Sequence, residues 1–161
     1  MKVGRAARAR DIYYRDFEAA ARSSQIEPIE ARARSDAEIE SVVTSLGGEP
    51  RGGLVVTPDY FMLNHSQQIV SQAARQKLPT IYPWRSVVSR QDGLLSYGPD
   101  LVDIVRRSAS YVDKIFRGEK PADLSVQVPV RFEVVVNVKT ARVLGLTVPT
   151  SIVVRADEVI E

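Results

Sequence analysis

The 161-residue sequence predicts an α/β domain, a mostly parallel sheet with helices on both faces. Three observations carry that expectation. Short β-branched runs alternate with amphipathic segments along the whole chain. The clearest run, Gly52-Gly53-Leu54-Val55-Val56-Thr57-Pro58-Asp59, is apolar on both faces, as a buried parallel strand is. The run stops at Pro-Asp, which turns the chain out at the strand's carboxyl end, where open α/β sheets bind ligands.

The elements follow in order. Residues 6–23 read as a helix whose face carries Ile12, Tyr13, Phe17, Ala20 and Ala21. Its arginines are interleaved with Asp11, Asp16 and Glu18, so a solvated face suits it better than a phosphate-binding one. An α/β unit ordinarily begins with a strand. Only Lys2-Val3 stands ahead of this helix, so the opening strand is expected to be missing. An extended piece near Ile26–Ala31 follows. Ser35-Asp36-Ala37-Glu38 is a capping box ahead of Ile39, Val42, Val43 and Leu46, with Gly47 as the stop. After the Leu54–Val56 strand, a helix starts at Asn64-His65-Ser66-Gln67 and buries Ile69, Val70, Ala73 and Ala74. Pro79 ends it and leads into the strand Thr80-Ile81-Tyr82.

Gly93-Leu94-Leu95-Ser96-Tyr97-Gly98-Pro99-Asp100 repeats the strand-then-turn pattern, with a helix expected to begin near Pro99. Leu101, Ile104, Val105, Val112, Ile115 and Phe116 form its apolar side, and Gly118 ends it. Arg131–Asn137 reads as a strand, with Asn137 capping a short helix that Gly145 closes. Pro149–Glu161 is mixed.

Composition sets bounds. Hydrophobic residues make up 44% and charged residues 26%, enough to bury a core. A formal net charge of +2 gives no reason to expect a nucleic-acid partner. There is no cysteine, hence no disulfide and no thiolate metal site. No apolar run approaches the roughly 18 residues of a membrane helix. The start of the chain has charge but no apolar core of a secretory signal, so the sequence as written is expected in the cytoplasm.

Enzyme motifs are absent. No nucleophile elbow, dinucleotide fingerprint or phosphate loop occurs. His65 is the single histidine, without a second His or Cys to share a metal. The reading is therefore non-enzymatic, with no catalytic residue, metal or cofactor. Asp59 after its strand could touch a small molecule or simply cap its turn through its own backbone, and the residues alone leave both open.

From about Ile12 to Glu161 the chain resembles the carboxyl-terminal half of ABC-transporter substrate-binding proteins of the tryptophan/tyrosine type, which have the type I periplasmic-binding-protein fold. The matching stretches include Leu54–Asp59, Leu78–Pro83, Gly93–Leu101, Tyr111–Ile115, Gly118–Leu124, Phe132–Asn137 and Ala156–Ile160. The resemblance implies two lobes closing on a solute that passes to an ABC permease, with amino acids or similar small molecules as candidates. A ligand-sensing regulatory or interaction domain of the same fold is the alternative.

The resemblance also implies ligand contacts for Pro58, Asp59, Tyr60, Tyr97 and Gly98. A carboxylate holds an ammonium group, and tyrosine offers an apolar face with a hydroxyl. Trp84 also follows a strand and could stack on a ligand, although a core or interface role suits it better. By the same resemblance, residues 1–92 form the distal lobe, 93–128 a strand and helix returning to a first lobe outside this sequence, and 129–161 the final strand and short helices rejoining the distal lobe. The location implied is periplasmic. A truncated copy could not complete a cleft, and the uncovered segment near 94–117 would drive a homodimer or higher oligomer.

Overall fold

The computed structural model describes residues 2–6 and 14–161. One seven-stranded sheet runs through them, in the order β2-β1-β3-β4-β5-β6-β7. Its strands are β1 (Lys2–Ala6), β2 (Glu27–Ala31), β3 (Gly53–Val56), β4 (Thr80–Tyr82), β5 (Leu95–Pro99), β6 (Phe132–Asn137) and β7 (Glu158–Ile160). The first five in that order are parallel neighbours. β6 is antiparallel to β5, and β7 is parallel to β6. The α/β class, mostly parallel, is as the sequence predicts.

Two expectations are corrected. The opening strand is not missing: β1 lies between β2 and β3 and pairs with both. Lys2-Val3-Gly4-Arg5-Ala6 has a single β-branched residue, so no apolar run announces it, and its place is fixed by two neighbouring strands. Nor does the strand of residues 93–128 leave for another lobe, since β5 is hydrogen-bonded between β4 and β6. The helix after it buries none of its residues.

The helices are α1 (Tyr14–Ser23), α2 (Asp36–Gly47), α3 (Tyr60–Asn64), α4 (Ser66–Arg75), α5 (Arg85–Gln91), α6 (Leu101–Phe116), α7 (Val138–Leu144) and α8 (Thr150–Val153). The expected first helix is present from Tyr14; Ile12, Tyr13 and the rest of residues 7–13 lie outside the described residues. The capping box forms, with Ser35 Oγ accepting from the Glu38 amide at 3.3 Å. The Glu38 carboxylate reaches back to the Arg34 amide at 2.5 Å. Asn137 caps α7 through Thr140 N at 2.9 Å, and Gly145 closes that helix in the left-handed region at φ 74°. Pro99 is not the first residue of α6. It ends β5, and Asp100 is the cap, accepting from the Val102 and Asp103 amides at 2.9 and 3.0 Å. Short α3, α5, α8 and β7 carry too few residues to show a period, and the sequence did not reveal them.

The core lies on one face of the sheet. Leu54, Val56, Tyr82 and Val135 are buried there with Ile39 and Val43 of α2 and Ile69 of α4. The other face is less covered. Val55 is half-buried and Ile81 exposed, although their strand pattern gives both faces the same apolar character. Tyr82 is 2% exposed. Burial pushes its phenol well above the ordinary tyrosine range, against a smaller opposing effect of a hydrogen bond with Thr80. The sign follows from linkage. Above pH ~10 the unfolded chain sheds this proton and the folded one keeps it, so stability falls as pH rises. Tyr82→Phe is expected to flatten that alkaline decline by up to about 1.4 kcal/mol per pH unit, read from denaturant midpoints between pH 9 and 11.

Candidate functional site

The carboxyl ends of β3, β4 and β5 all open on the same edge of the sheet, because the three strands are parallel. Each delivers sequence-selected residues there. After β3, Thr57 is buried, Pro58 exposed and Asp59 half-buried. Asp59 caps the five-residue α3: its Oδ1 accepts from the Met62 amide at 2.9 Å, and its Oδ2 accepts from the Thr57 hydroxyl at 3.3 Å. The capping role open to Asp59 from sequence is thus real, and its carboxylate is held in place. Tyr60, the first residue of α3, stands 79% exposed beside it.

After β4, Pro83 is buried and Trp84 is half-buried against the core cluster. That is the core aromatic the sequence favoured, though one side of Trp84 also lines an open cleft of about 670 Å³. On β5, Tyr97 is 58% exposed and stacks on Phe132 of β6, ring centroids 5.7 Å apart and planes 23° apart. The antiparallel register, with Pro99 opposite Phe132 and Tyr97 opposite Val134, makes this a diagonal cross-strand pair. Gly98 is buried, and a Cβ there would sit 2.0 Å from the Pro83 carbonyl oxygen. The turn after β4 fills that space with backbone.

The six residues therefore fall into separate neighbourhoods along one edge: Pro58, Asp59 and Tyr60 at α3, Trp84 in the cleft, Tyr97 on Phe132, and Gly98 under Pro83. The cleft itself is charged. Arg85 donates to Glu133 at 3.2 Å and also pairs with Glu158, so one guanidinium ties α5 to β6 and β7. Arg131 lies 3.4 Å from Asp100. Hydrogen bonds from the amides of Asp103 and Val102, with Arg131 nearby, hold the Asp100 carboxyl below the usual range. Phe132, Arg85 and Arg131 escaped sequence reasoning. The strand Phe132–Asn137 gave no sign that Phe132 would meet Tyr97, because that contact depends on the cross-strand register.

His65 has a structural place. Its ring lies 4.1 Å from that of Phe61, Nδ1 donates to the Phe61 carbonyl at 2.7 Å, and Nε2 is 3.2 Å from the Asp36 carboxylate. It joins α3 and α4 to the start of α2. Among the described residues, no group of three His, Cys, Asp or Glu side chains could hold a metal, and no helix is long and apolar enough to cross a membrane.

This edge of a mostly parallel α/β sheet carries a capped carboxylate, Asp59, beside the exposed rings of Tyr60 and Tyr97. Residues 10–160 match the family model described as ABC transporter substrate binding protein, and the chain belongs to that family. Among solved structures it is similar to an ABC domain in complex with L-Trp from Streptococcus pneumonia, with 25% identity and a TM-score of 0.84 over 99% of this chain and 56% of that one. It is also similar to a conserved domain protein from Vibrio cholerae O1 biovar eltor, with 23% identity and a TM-score of 0.84 over 98% of this chain and 54% of that one. A third is a substrate binding protein with adhesive properties from Clostridium difficile in its ligand-free, open form: 18% identity, a TM-score of 0.66, and coverage of 99% and 54%. The chain thus spans little more than half the length of the structures it matches. No curated protein matches it.

Proposed function

We propose that this chain is the distal, carboxyl-terminal lobe of a non-enzymatic solute-binding protein. It recognises an amino acid or similar small molecule outside the cytoplasmic membrane and delivers it to an ABC permease. The observation that carries the solute class is the L-Trp complex of the Streptococcus structure, whose fold this chain shares across 99% of its length. The edge described above suits such a ligand. The Asp59 carboxylate, fixed by Thr57 and Met62, would face the α-ammonium group, and exposed Tyr60 and Tyr97 would offer ring faces to an apolar side chain. α6 and the segment between it and β6 would lie against the first lobe in a two-lobed protein, since no residue of α6 is buried here.

L-tryptophan titrated into the isotope-labelled chain tests this reading by nuclear magnetic resonance. Amide shifts are expected to concentrate at Asp59, Tyr60 and Tyr97, and the ligand's own signals to stay unchanged over hours. Asp59→Asn, which keeps a capping oxygen but loses the charge, is expected to weaken binding at least about tenfold, the loss of one charge-assisted hydrogen bond. Shifts located elsewhere, or equal affinity in the variant, would remove Asp59 from the site. Chemical conversion of the tryptophan would overturn the non-enzymatic assignment.

A further inference from the structure

His65 is the single histidine of the chain, and its ring meets more acceptors than a neutral imidazole can serve. Nδ1 lies 2.7 Å from the Phe61 carbonyl oxygen, which can only accept, so Nδ1 carries a proton. A neutral imidazole has no second N–H, and its Nε2 is then a bare lone pair. That lone pair lies 3.2 Å from the Asp36 carboxylate, another acceptor. With the neutral ring, two electron-rich atoms face each other. The imidazolium puts an N–H on each nitrogen, answers both oxygens and sets opposite charges side by side.

The ring stands at the end of α3. That helix has five residues, too few to persist by its own hydrogen bonds. Its start is held by Asp59 accepting from the Met62 amide, its middle by the buried Met62 side chain, and its end by His65, whose ring also stacks on Phe61. The amide that steadies the Asp59 carboxylate thus belongs to α3, so loosening α3 reaches both Asp59 and Tyr60. Across the ring, Asp36 belongs to α2, which is anchored in the core by Ile39 and Val43. A charged His65 therefore fastens α3 to a rigid neighbour. α4 is tied to α2 by a bond that does not change with pH, Gln68 Nε2 donating to the Asp36 carbonyl at 3.1 Å.

Few other charges surround the ring. Tyr60–Asn64 carries none, and α4 carries none before Arg75. Asp59 caps the far end of α3. On α2, Asp36 is followed by Glu38, whose carboxylate is turned to the Arg34 amide, and by Glu40 one turn on. The amino end of α4 disfavours a cation at His65, and the Asp36 carboxylate opposes that effect. The His65 side chain is 29% exposed, so a proton reaches it from solvent.

We propose that His65 is a proton-operated clamp on α3. A proton taken up on Nε2 closes the His65–Asp36 pair and fastens the short helix that carries Tyr60 and the Asp59 cap. The sign follows from linkage. The closed clamp binds the proton, so α3 is held best at the acid end of the range pH 5–8, where histidines change charge, and loosens as pH rises through it. Where Asp59 meets a solute's ammonium group, the same linkage makes that solute bind more tightly at lower pH. That consequence rests on the solute reading above; the clamp does not.

Nuclear magnetic resonance on the labelled chain without solute tests the clamp. As pH falls from 8 to 5, the ring is expected to gain its second proton at Nε2. Over the same midpoint the Leu63 and His65 amides, bonded to the Asp59 and Phe61 carbonyls, are expected to gain protection from hydrogen exchange. Corrected for the intrinsic pH dependence of exchange, the gain is at least about threefold, the worth of one partly exposed charge-assisted contact. Amides of α7 serve as the reference for the fold as a whole. His65→Gln is expected to leave α3 weakly protected at every pH. Asp36→Asn offers an N–H to the bare Nε2, so α3 is expected to be protected as well at pH 8 as at pH 5. Protection that ignores the charge of the ring, a response that survives His65→Gln, or an Asp36→Asn variant that titrates as the native chain does would each overturn the proposal.

Discussion

Gly98→Val is expected to unfold the domain or cost it more than about 3 kcal/mol, and Gly98→Ala to cost about 3 kcal/mol, the upper part of the range for overpacking. The reason is backbone against backbone. A Cβ on Gly98 would stand 2.0 Å from the Pro83 carbonyl oxygen and 3.0 Å from its carbon. A flexible side chain could move aside, but the Pro83 turn is buried and anchored by β4 on one side and by Trp84 against the core on the other. Relief requires shifting β5 away from β4, which breaks the pairing of Ile81 with Leu95 and of Tyr82 with Ser96. Gly118→Ala is the comparison. At Gly118 φ is 99° but no atom lies within 4 Å of the added methyl, so strain in the backbone is the only cost, about 1 kcal/mol. Urea unfolding of the two variants separates crowding from conformational preference. Equal losses would mean that the β4–β5 contact yields more easily than its geometry indicates.

Leu54→Ala is expected to lower stability by about 2–5 kcal/mol, and Val55→Ala by distinctly less. The two residues are neighbours with similar hydrophobicity, so the sequence gives no reason to rank them. Leu54 is 2% exposed and belongs to the core cluster with Ile39, Val43 and Ile69, and its loss leaves a cavity those helices cannot close. Val55 points to the half-covered face, where water can take the vacated place. The effect reaches the candidate site, because β3 leads directly to Thr57 and Asp59. Denaturant midpoints measure the difference; a Val55→Ala loss as large as that of Leu54→Ala would show that the second face is covered in solution. That outcome would fit a further layer packed there.

The legible parts of this chain were those whose signal is local. Ser35 and Glu38 bracket a helix start, Asn137 and Gly145 bracket another, and each pair acts within one turn of backbone. The run Leu54–Val56, stopped by Pro58-Asp59, announced both β3 and the turn that carries the candidate carboxylate. Apolar periodicity placed α2, α4 and α6, which are long enough to show a period. Together with the alternation of elements, these local signals determined the α/β class.

Tertiary structure decided the rest, wherever the outcome depended on residues far apart in the chain. Lys2–Ala6 is a strand because β2 and β3 supply partners on both sides, and its own five residues say little. β5 stays in the sheet because β6 returns antiparallel to it, 33 residues later by the Pro99–Phe132 pairing, and that register alone brings Tyr97 onto Phe132. Gly98 looked like part of a ligand edge, yet the carbonyl that fills its space belongs to Pro83 in the preceding turn. The stripe on α6 was visible in the sequence as a helix face meant for burial. Periodicity records which side of a helix is apolar and carries no information about what stands opposite; that this side lies bare was implied only by the resemblance and is seen in the fold.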